Sequence, residues 1–208
     1  LFHELHYVEG YDIVFLNFNN STTYIQRNAY LLQEVIKWVN AEKVANNSTA
    51  KNKVMGISMG GLVARYALSD MEDRNINHGT DLYISMDTPH QGANVPVGLQ
   101  AAFRHLTNLS FNVGILGVTP KTINIRDIVD VSIAEGIFNS QAAKQMLKNY
   151  VSGTSSLSIS SADHNSFIQD LKNQGMSGAN GYPSRWGIQN VAISNGNECG
   201  GDIGFSAG

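Results

Sequence analysis

A serine set between two glycines is the clearest sign of chemistry in the chain, because GISMG at 56–60 follows the pattern G-x-S-x-G. Residues 53–57 are mostly apolar, as in a short strand, and residues 61–71 carry apolar side chains at helical spacing. A strand that turns at once into a helix holds a serine hydroxyl out at the end of the strand, where it can attack a carbonyl carbon. This context predicts Ser58 as a nucleophile.

The same turn predicts an electrostatic partner for the reaction. The N-terminus of the helix would lie beside Ser58, and the backbone N–H of Met59 would be one donor of an oxyanion hole, with the positive end of the helix dipole behind it. Strand and helix backbones pass closely in such a turn, so only small residues are expected at Gly56 and Gly60, two positions before and after Ser58. A phosphate-binding loop would need G-x-G-x-x-G or a following Lys-Ser/Thr, and GISMGG has neither.

Acidic residues follow two of the predicted strands. Asp87 comes directly after one apolar strand, and Glu198 and Asp202 come shortly after a later one. The carboxyl ends of parallel strands share one edge of a sheet, where catalytic groups gather. A carboxylate there could orient an imidazole towards Ser58, so Asp87 is the first candidate for the acid of a triad, with Glu198 or Asp202 as the alternative. Asp87 could instead hold the turn at Pro89–Gly92.

None of the six histidines follows a strand in the position expected for a catalytic base. His90 lies in the turn TPHQG and is expected to form structural hydrogen bonds beneath the site. His164 begins a predicted helix and would reach Ser58 only if that segment folded over it, since a base must lie within hydrogen-bond reach of its nucleophile. Arg65, on the helix after the serine, is expected to be a structural ion-pair partner.

The elements that must position these residues alternate in type along the chain. Strands are predicted at 11–18, 53–57, 82–86 and 189–194, with helices between the first three. This alternation predicts a parallel sheet with right-handed crossovers. The first of these helices has an apolar stripe made by Ile25, Ala29, Leu32, Ile36 and Val39, and its other face is predicted to carry Gln33, Glu34, Lys37 and Asn40.

About a hundred residues separate the last two strands, which is too long for an ordinary connection. Helices are predicted near Val97–Leu109 and Ser132–Tyr150, with a flexible joint at Ser152–Ser161. We therefore predict a core made of residues 1–94 and 187–208, and a helical cap at 95–186 over the carboxyl ends of the strands.

With SMGGLVARYAL at 58–68, TPHQGA at 88–93 and a large insertion after them, the chain resembles bacterial lipase-like α/β hydrolases, most closely the group that includes the GPI-inositol-deacylase-like lipases. The resemblance implies an α/β-hydrolase fold: a mostly parallel sheet with helices on both faces and a helical cap. It implies a lipase or carboxylesterase acting through an acyl-enzyme on Ser58. It also implies a fold incomplete at both ends, with the catalytic histidine after Gly208 and the second oxyanion donor before Leu1.

The charge and the cysteine content of the chain limit the kinds of ligand and partner that it is expected to bind. The net charge is −3, with 14 basic and 17 acidic residues and no basic block, which argues against a nucleic-acid partner. The single cysteine, Cys199, allows no internal disulfide and no metal-ligand spacing, and no cofactor is predicted. The expected partner is a small-molecule or lipid ester. The resemblance favours a secreted or cell-envelope location and contact of the cap with a membrane surface. The alternative is a catalytically silent hydrolase-like module for binding or assembly.

Overall fold

The computed structural model describes residues 2–107, 110–113, 121–124, 136, 138–153 and 156–194. The helices are α1 (Phe2–Tyr7), α2 (Ile25–Ala45), α3 (Met59–Asp73), α4 (Val97–Thr107), α5 (Gln141–Met146) and α6 (Ala162–Asn173). The strands are β1 (Asn52–Ile57), β2 (Thr80–Met86), β3 (Ser110–Val113), β4 (Lys121–Asn124), β5 (Tyr150–Ser152), β6 (Ser158–Ser160) and β7 (Gln189–Ile193). No helix in this part of the chain is long and apolar enough to cross a bilayer.

The central element is a parallel sheet of three strands in the order β1, β2, β7. Gly56 of β1 pairs with Ser85 of β2, and Ser85 pairs with Ala192 of β7, so all three strands end at the same edge of the sheet. Two antiparallel pairs, β3 with β4 and β5 with β6, lie apart from it in the connection to β7. The parallel sheet with its flanking helices confirms the predicted α/β architecture.

Helices α2 and α3 pack against one face of this sheet. A buried cluster joins Ile36 of α2, Leu68 and Met71 of α3, and Tyr83 of β2. The burial of each such side chain contributes about 1.5–3 kcal/mol to the driving force for folding. The opposite face of the sheet carries apolar side chains that are exposed, among them Ile57 at 61%. Among the described helices, α2 and α3 therefore cover one face of β1 and β2.

Helix α3 is buried around its whole circumference, because every residue from Gly61 to Glu72 is buried. A buried polar group is costly unless it is hydrogen-bonded, and the polar residues of α3 have partners. Ser69 Oγ donates to Gly181 O at 2.9 Å. The Glu72 carboxylate accepts the backbone N–H groups of Ser184 and Arg185 at 2.8–2.9 Å. The segment before β7 thus wraps the helix that begins at the predicted nucleophile.

Two predictions about the elements are wrong. Residues 11–18 form no strand, although their apolar run is typical of one. A strand needs a hydrogen-bonded neighbour, and the described sheet has the order β1, β2, β7 without this segment. Phe18 instead packs against the core cluster of α2 and α3. The predicted flexible joint at Ser152–Ser161 begins and ends in the antiparallel pair β5–β6.

The predicted cap contributes to the same core as α2 and α3. Helix α4 lies where the first cap helix was predicted. The second predicted helix ends at Met146, before Tyr150, because Leu147 forms a parallel bridge with Ala93, and residues 132–135 and 137 of this prediction lie outside the described residues. Phe167 and Leu171 of α6 are buried in one cluster with residues of α2 and α3. The division of the chain into a core and a cap at 95–186 remains a prediction.

Candidate active site

Ser58 lies at the turn between β1 and α3 in a backbone conformation that L-residues rarely adopt, with φ 52° and ψ −124°. Such a conformation costs about 1–3 kcal/mol and persists only where the surrounding structure imposes it. The backbone N–H of Ser58 donates to Met86 O at 2.8 Å, which ties the turn to β2. The residue is exposed, and its side chain caps no amide of the helix. The serine hydroxyl is therefore presented at the carboxyl edge of the sheet.

Met59 is the first residue of α3, two residues before the predicted helical pattern, so its backbone N–H lies at the positive end of the helix dipole. The first N–H groups of a helix have no acceptor within the helix and remain able to bind an external oxygen. The Met59 side chain packs against the cluster that contains Phe167. This packing anchors the first turn of α3 beside Ser58.

The close approach predicted around the serine is present, but it involves a different second glycine. A Cβ atom at Gly56 would collide with the backbone of Gly60 and Gly61, so residue 56 has to be glycine. A Cβ atom at Gly60 would meet nothing within 4 Å, so the prediction for this position is wrong. The tight position is Gly61, where a Cβ atom would collide with the side chain of Thr88. The start of α3 lies against the turn after β2, and it is Gly61, not Gly60, that faces this turn.

We expect Gly56→Ala to destabilise the protein by about 1–3 kcal/mol or more, because rigid backbone cannot move away from the added methyl group. Gly60→Ala is the matched control, since it adds the same methyl group in open space on a helix. It should leave the free energy of unfolding unchanged or raise it by about 0.5–1 kcal/mol. Urea denaturation of both variants measures the difference. Equal stabilities would contradict the steric argument.

Asp87 is the first residue after β2 and lies beside Ser58 in the sheet. Ile57 pairs with Met86, and the parallel ladder continues one step further, because Ser58 N donates to Met86 O and Asp87 N donates to Ile193 O. Neighbouring strands are about 4.8 Å apart. The structure thus brings Ser58 and Asp87 to adjacent positions at one edge, and Asp87 is exposed there. Its role as the acid remains a prediction.

The turn after Asp87 folds back onto the sheet through His90. His90 Nε2 lies 2.9 Å from Ser85 Oγ, and His90 N donates to Thr88 O at 2.9 Å. This hydrogen bond to Ser85 agrees with the structural role expected for His90. The ring packs 5.4 Å from that of Tyr182.

Arg65 connects α3 to this turn and to the segment before β7. Its guanidinium donates to His90 O at 3.4 Å, to Asn180 O at 2.6 Å and to Gly181 O at 3.0 Å, and it stacks 3.7 Å above the centre of the Tyr182 ring. Burial lowers its pKa, although an arginine remains charged. The ion pair expected for Arg65 is not found, since within the described ranges its partners are carbonyl oxygens and an aromatic ring.

Burial, and secondarily the charge of Arg65, lower the pKa of His90 from 6.5 to about 4. As the pH falls through 6.5, the unfolded chain therefore takes up a proton that folded His90 does not accept until about pH 4. The free energy of unfolding should therefore fall as the pH drops from 6.5 to about 4, and above pH 6.5 it should not depend on the ionisation of His90. His90→Gln can keep a side-chain hydrogen bond without ionising. We expect the melting temperature of the wild type to fall more steeply with pH than that of His90→Gln, and parallel curves would contradict this.

The remaining candidates either have hydrogen-bond partners other than Ser58 or lie outside the described residues. His164 is buried, with Nδ1 2.9 Å from Gln145 O and its ring against Gly92. Among the residues described, Ser58 Oγ has no histidine as a hydrogen-bond partner. Glu198 and Asp202 lie outside the described residues, as does Cys199. Nowhere in the described ranges do three His, Cys, Asp or Glu side chains gather to hold a metal ion.

Tyr83 and Ser85, which were not among the predicted site residues, lie on the helix-facing side of β2. Tyr83 is 1% exposed, and its hydroxyl donates to Gly61 O at 2.6 Å, which links β2 to the first turn of α3. Ser85 is the partner of His90. Both residues lie in an apolar strand, and their alternation in TDLYISM is the one sign that two polar groups point to the same face.

Comparison with known proteins agrees with this geometry. The family described as PGAP1-like alpha/beta domain matches residues 11–182, which include Ser58, the whole of α3 and Asp87. No curated protein and no solved structure matches the chain significantly. The match covers most of the chain and confirms the resemblance to GPI-inositol-deacylase-like lipases that the motifs indicate. The chain therefore belongs to the PGAP1-like α/β domain family, a group of α/β hydrolases.

Proposed function

We propose that this hydrolase is a serine esterase of the lipase or carboxylesterase type, in which Ser58 is acylated during turnover. The observation that carries the proposal is the strained conformation of Ser58, φ 52° and ψ −124°, at an exposed turn between strand and helix. Strain at a single residue opposes folding, so it is retained where a particular side chain has to be presented. A nucleophile at the edge of the sheet accounts for both the strain and the exposure.

In the proposed reaction, Ser58 Oγ attacks the carbonyl carbon of an ester, and the carbonyl oxygen takes the negative charge. The N–H of Met59 stabilises this oxyanion, assisted by the helix dipole. The base is a histidine imidazole between Ser58 and Asp87, and we propose that this histidine lies outside the described residues. It removes the hydroxyl proton and passes it to the departing alcohol. Water, deprotonated by the same imidazole, then attacks the carbonyl carbon of the acyl-enzyme. The bond to Ser58 Oγ breaks, the imidazole returns the proton to Oγ, and the carboxylic acid is released.

The exposed turn and the chemistry of a serine nucleophile support an ester of a carboxylic acid as the substrate class. An acyl group transferred to Ser58 can pass to water or to another alcohol, and water is the acceptor in our proposal because the family is a hydrolase group. If the substrate is a lipid ester, we propose that residues 95–186 contact the lipid surface.

A fluorophosphonate probe tests the proposal, because it reacts with a serine hydroxyl only when that hydroxyl is activated. We expect the natural protein that carries this chain to be labelled once, on the peptide that contains Ser58. Ser58→Ala should abolish labelling. Ser69→Ala should be labelled like the wild type, since Ser69 is buried on the same helix and bonded to Gly181 O. A folded protein without any label would instead favour the silent binding module, and a label on another serine would overturn the assignment.

A further inference from the structure

We infer that His90 is a positioning residue for Asp87: through its hydrogen bond to Ser85 it closes the turn that carries this carboxylate. The inference rests on the proposed function, in which Asp87 orients the base. It concerns a histidine whose ring is hydrogen-bonded to Ser85 and not to Ser58, and so it assigns His90 no part in proton transfer.

The contacts of His90 enclose Asp87 on both sides. Ser85 comes two residues before Asp87 and bonds to the His90 ring at 2.9 Å, while the His90 backbone N–H bonds to Thr88 O directly after Asp87. Gly92 N donates to Pro89 O at 2.9 Å and completes the turn. The chain from Ser85 to His90 is therefore a small closed loop with Asp87 inside it.

Asp87 needs such a constraint because its backbone has φ 50°, in the left-handed region. Aspartate adopts this region more readily than most residues, but not without cost. Without the ring of His90, the turn could relax to an ordinary conformation and redirect the Asp87 carboxylate. An error of about 1 Å in a catalytic group lowers rates by roughly a hundredfold.

The ring of His90 is suited to a fixed structural bond. Its Nδ1 is buried and has no hydrogen-bond partner in the described part of the chain, so Ser85 is the one side chain there that is hydrogen-bonded to the ring. The Ser85 hydroxyl in turn lies 3.5 Å from Val191 O, which allows a chain of donors from His90 through Ser85 to β7. Arg65 of α3 donates a hydrogen bond to the backbone carbonyl of His90. His90 is thereby connected to β2 through Ser85 and to α3 through Arg65.

The test is a double-mutant cycle on the natural protein, with hydrolysis of a nitrophenyl ester as the readout. His90→Leu removes the bond to Ser85 and should lower kcat about 10–100-fold, with KM within about twofold of the wild type. His90→Gln can restore an N–H near the position of Nε2 and should recover most of the lost kcat. In the Asp87→Asn background, His90→Leu should change kcat by less than about twofold, because its effect passes through Asp87. Ser85→Ala breaks the same bond from the strand side and decides the question if His90→Leu does not fold.

Three results would overturn the inference. The first is kcat within about twofold of the wild type in both His90→Leu and Ser85→Ala. The second is a loss in His90→Leu that multiplies with that of Asp87→Asn, as expected for general destabilisation. The third is an Asp87→Asn variant with normal turnover while Ser58→Ala is inactive, which leaves the proposed function standing. Turnover that persists in Ser58→Ala would refute the proposed function, and this inference with it.

Discussion

Replacing Ser58 by alanine is expected to lower kcat for ester hydrolysis by roughly a factor of 10⁶, leaving only the turnover that binding and the oxyanion donors support. The physical reason is that the covalent route disappears with Oγ, and no other exposed hydroxyl occupies the strained turn at the start of α3 in the described residues. The fold should survive, because the Ser58 side chain forms no capping bond. Initial rates with a nitrophenyl ester, corrected for spontaneous hydrolysis, measure the effect.

Ser69→Ala is the matched control for this prediction. It also removes one hydroxyl from α3, and it costs a single hydrogen bond to Gly181 O, worth about 0.5–1.5 kcal/mol of stability. Its turnover should equal that of the wild type. If Ser58→Ala retained a tenth or more of the wild-type rate, Ser58 would not be the nucleophile. A lower rate accompanied by a lost fold, seen in the circular dichroism spectrum, would not count in favour of the prediction.

Asp87→Asn is expected to lower kcat by about 10⁴, with KM little changed. An amide can accept a hydrogen bond from an imidazole, but it cannot stabilise the positive charge that develops when the imidazole takes the Ser58 proton. It can also hold the wrong tautomer. Asparagine adopts the left-handed backbone region as readily as aspartate, so the φ of 50° at this position should be kept. Steady-state kinetics above pH 7 gives kcat and KM separately.

The same strand provides the control for this change. Asp81 lies at the other end of β2 and forms a partly exposed salt bridge with Lys53 of the neighbouring strand β1. Asp81→Asn removes one carboxylate from β2, and it should cost at most about 1 kcal/mol of stability and leave kcat unchanged. Should Asp87→Asn keep near-wild-type turnover while Glu198→Gln or Asp202→Asn loses it, the acid is Glu198 or Asp202.

Much of the framework followed from local pattern. The strand before Ser58, the helix after it and the two strands that end at 86 and 193 are set by alternation and spacing between near neighbours, which are visible in the chain itself. The reactive turn is local only in part: the requirement for glycine at 56 comes from contacts with Gly60 and Gly61, whereas the bond from Ser58 N to Met86 O ties the turn to β2.

Other features depended on partners far away in the chain. Gln33, placed by helical spacing on the polar face of α2, is 2% exposed, because α3 offers it Ala67 O and Asp70 Oδ2 at 3.0 and 2.7 Å. The apolar run at 11–18 forms no strand in the described structure, since a strand exists only with a neighbour to share its hydrogen bonds.

For the candidate site, the amino-acid sequence by itself determined that a serine stands at a strand-to-helix turn and that Asp87 ends the following strand. Only the tertiary structure decided that the two lie side by side, because this depends on the register of β1 against β2 and the continuation of its ladder through Met86 O. It also decided that His90 bonds to Ser85 rather than to Ser58. The physical reason is common to these cases: covalent neighbours restrict the backbone locally, whereas the partners of a polar side chain are chosen by packing between segments distant in the chain.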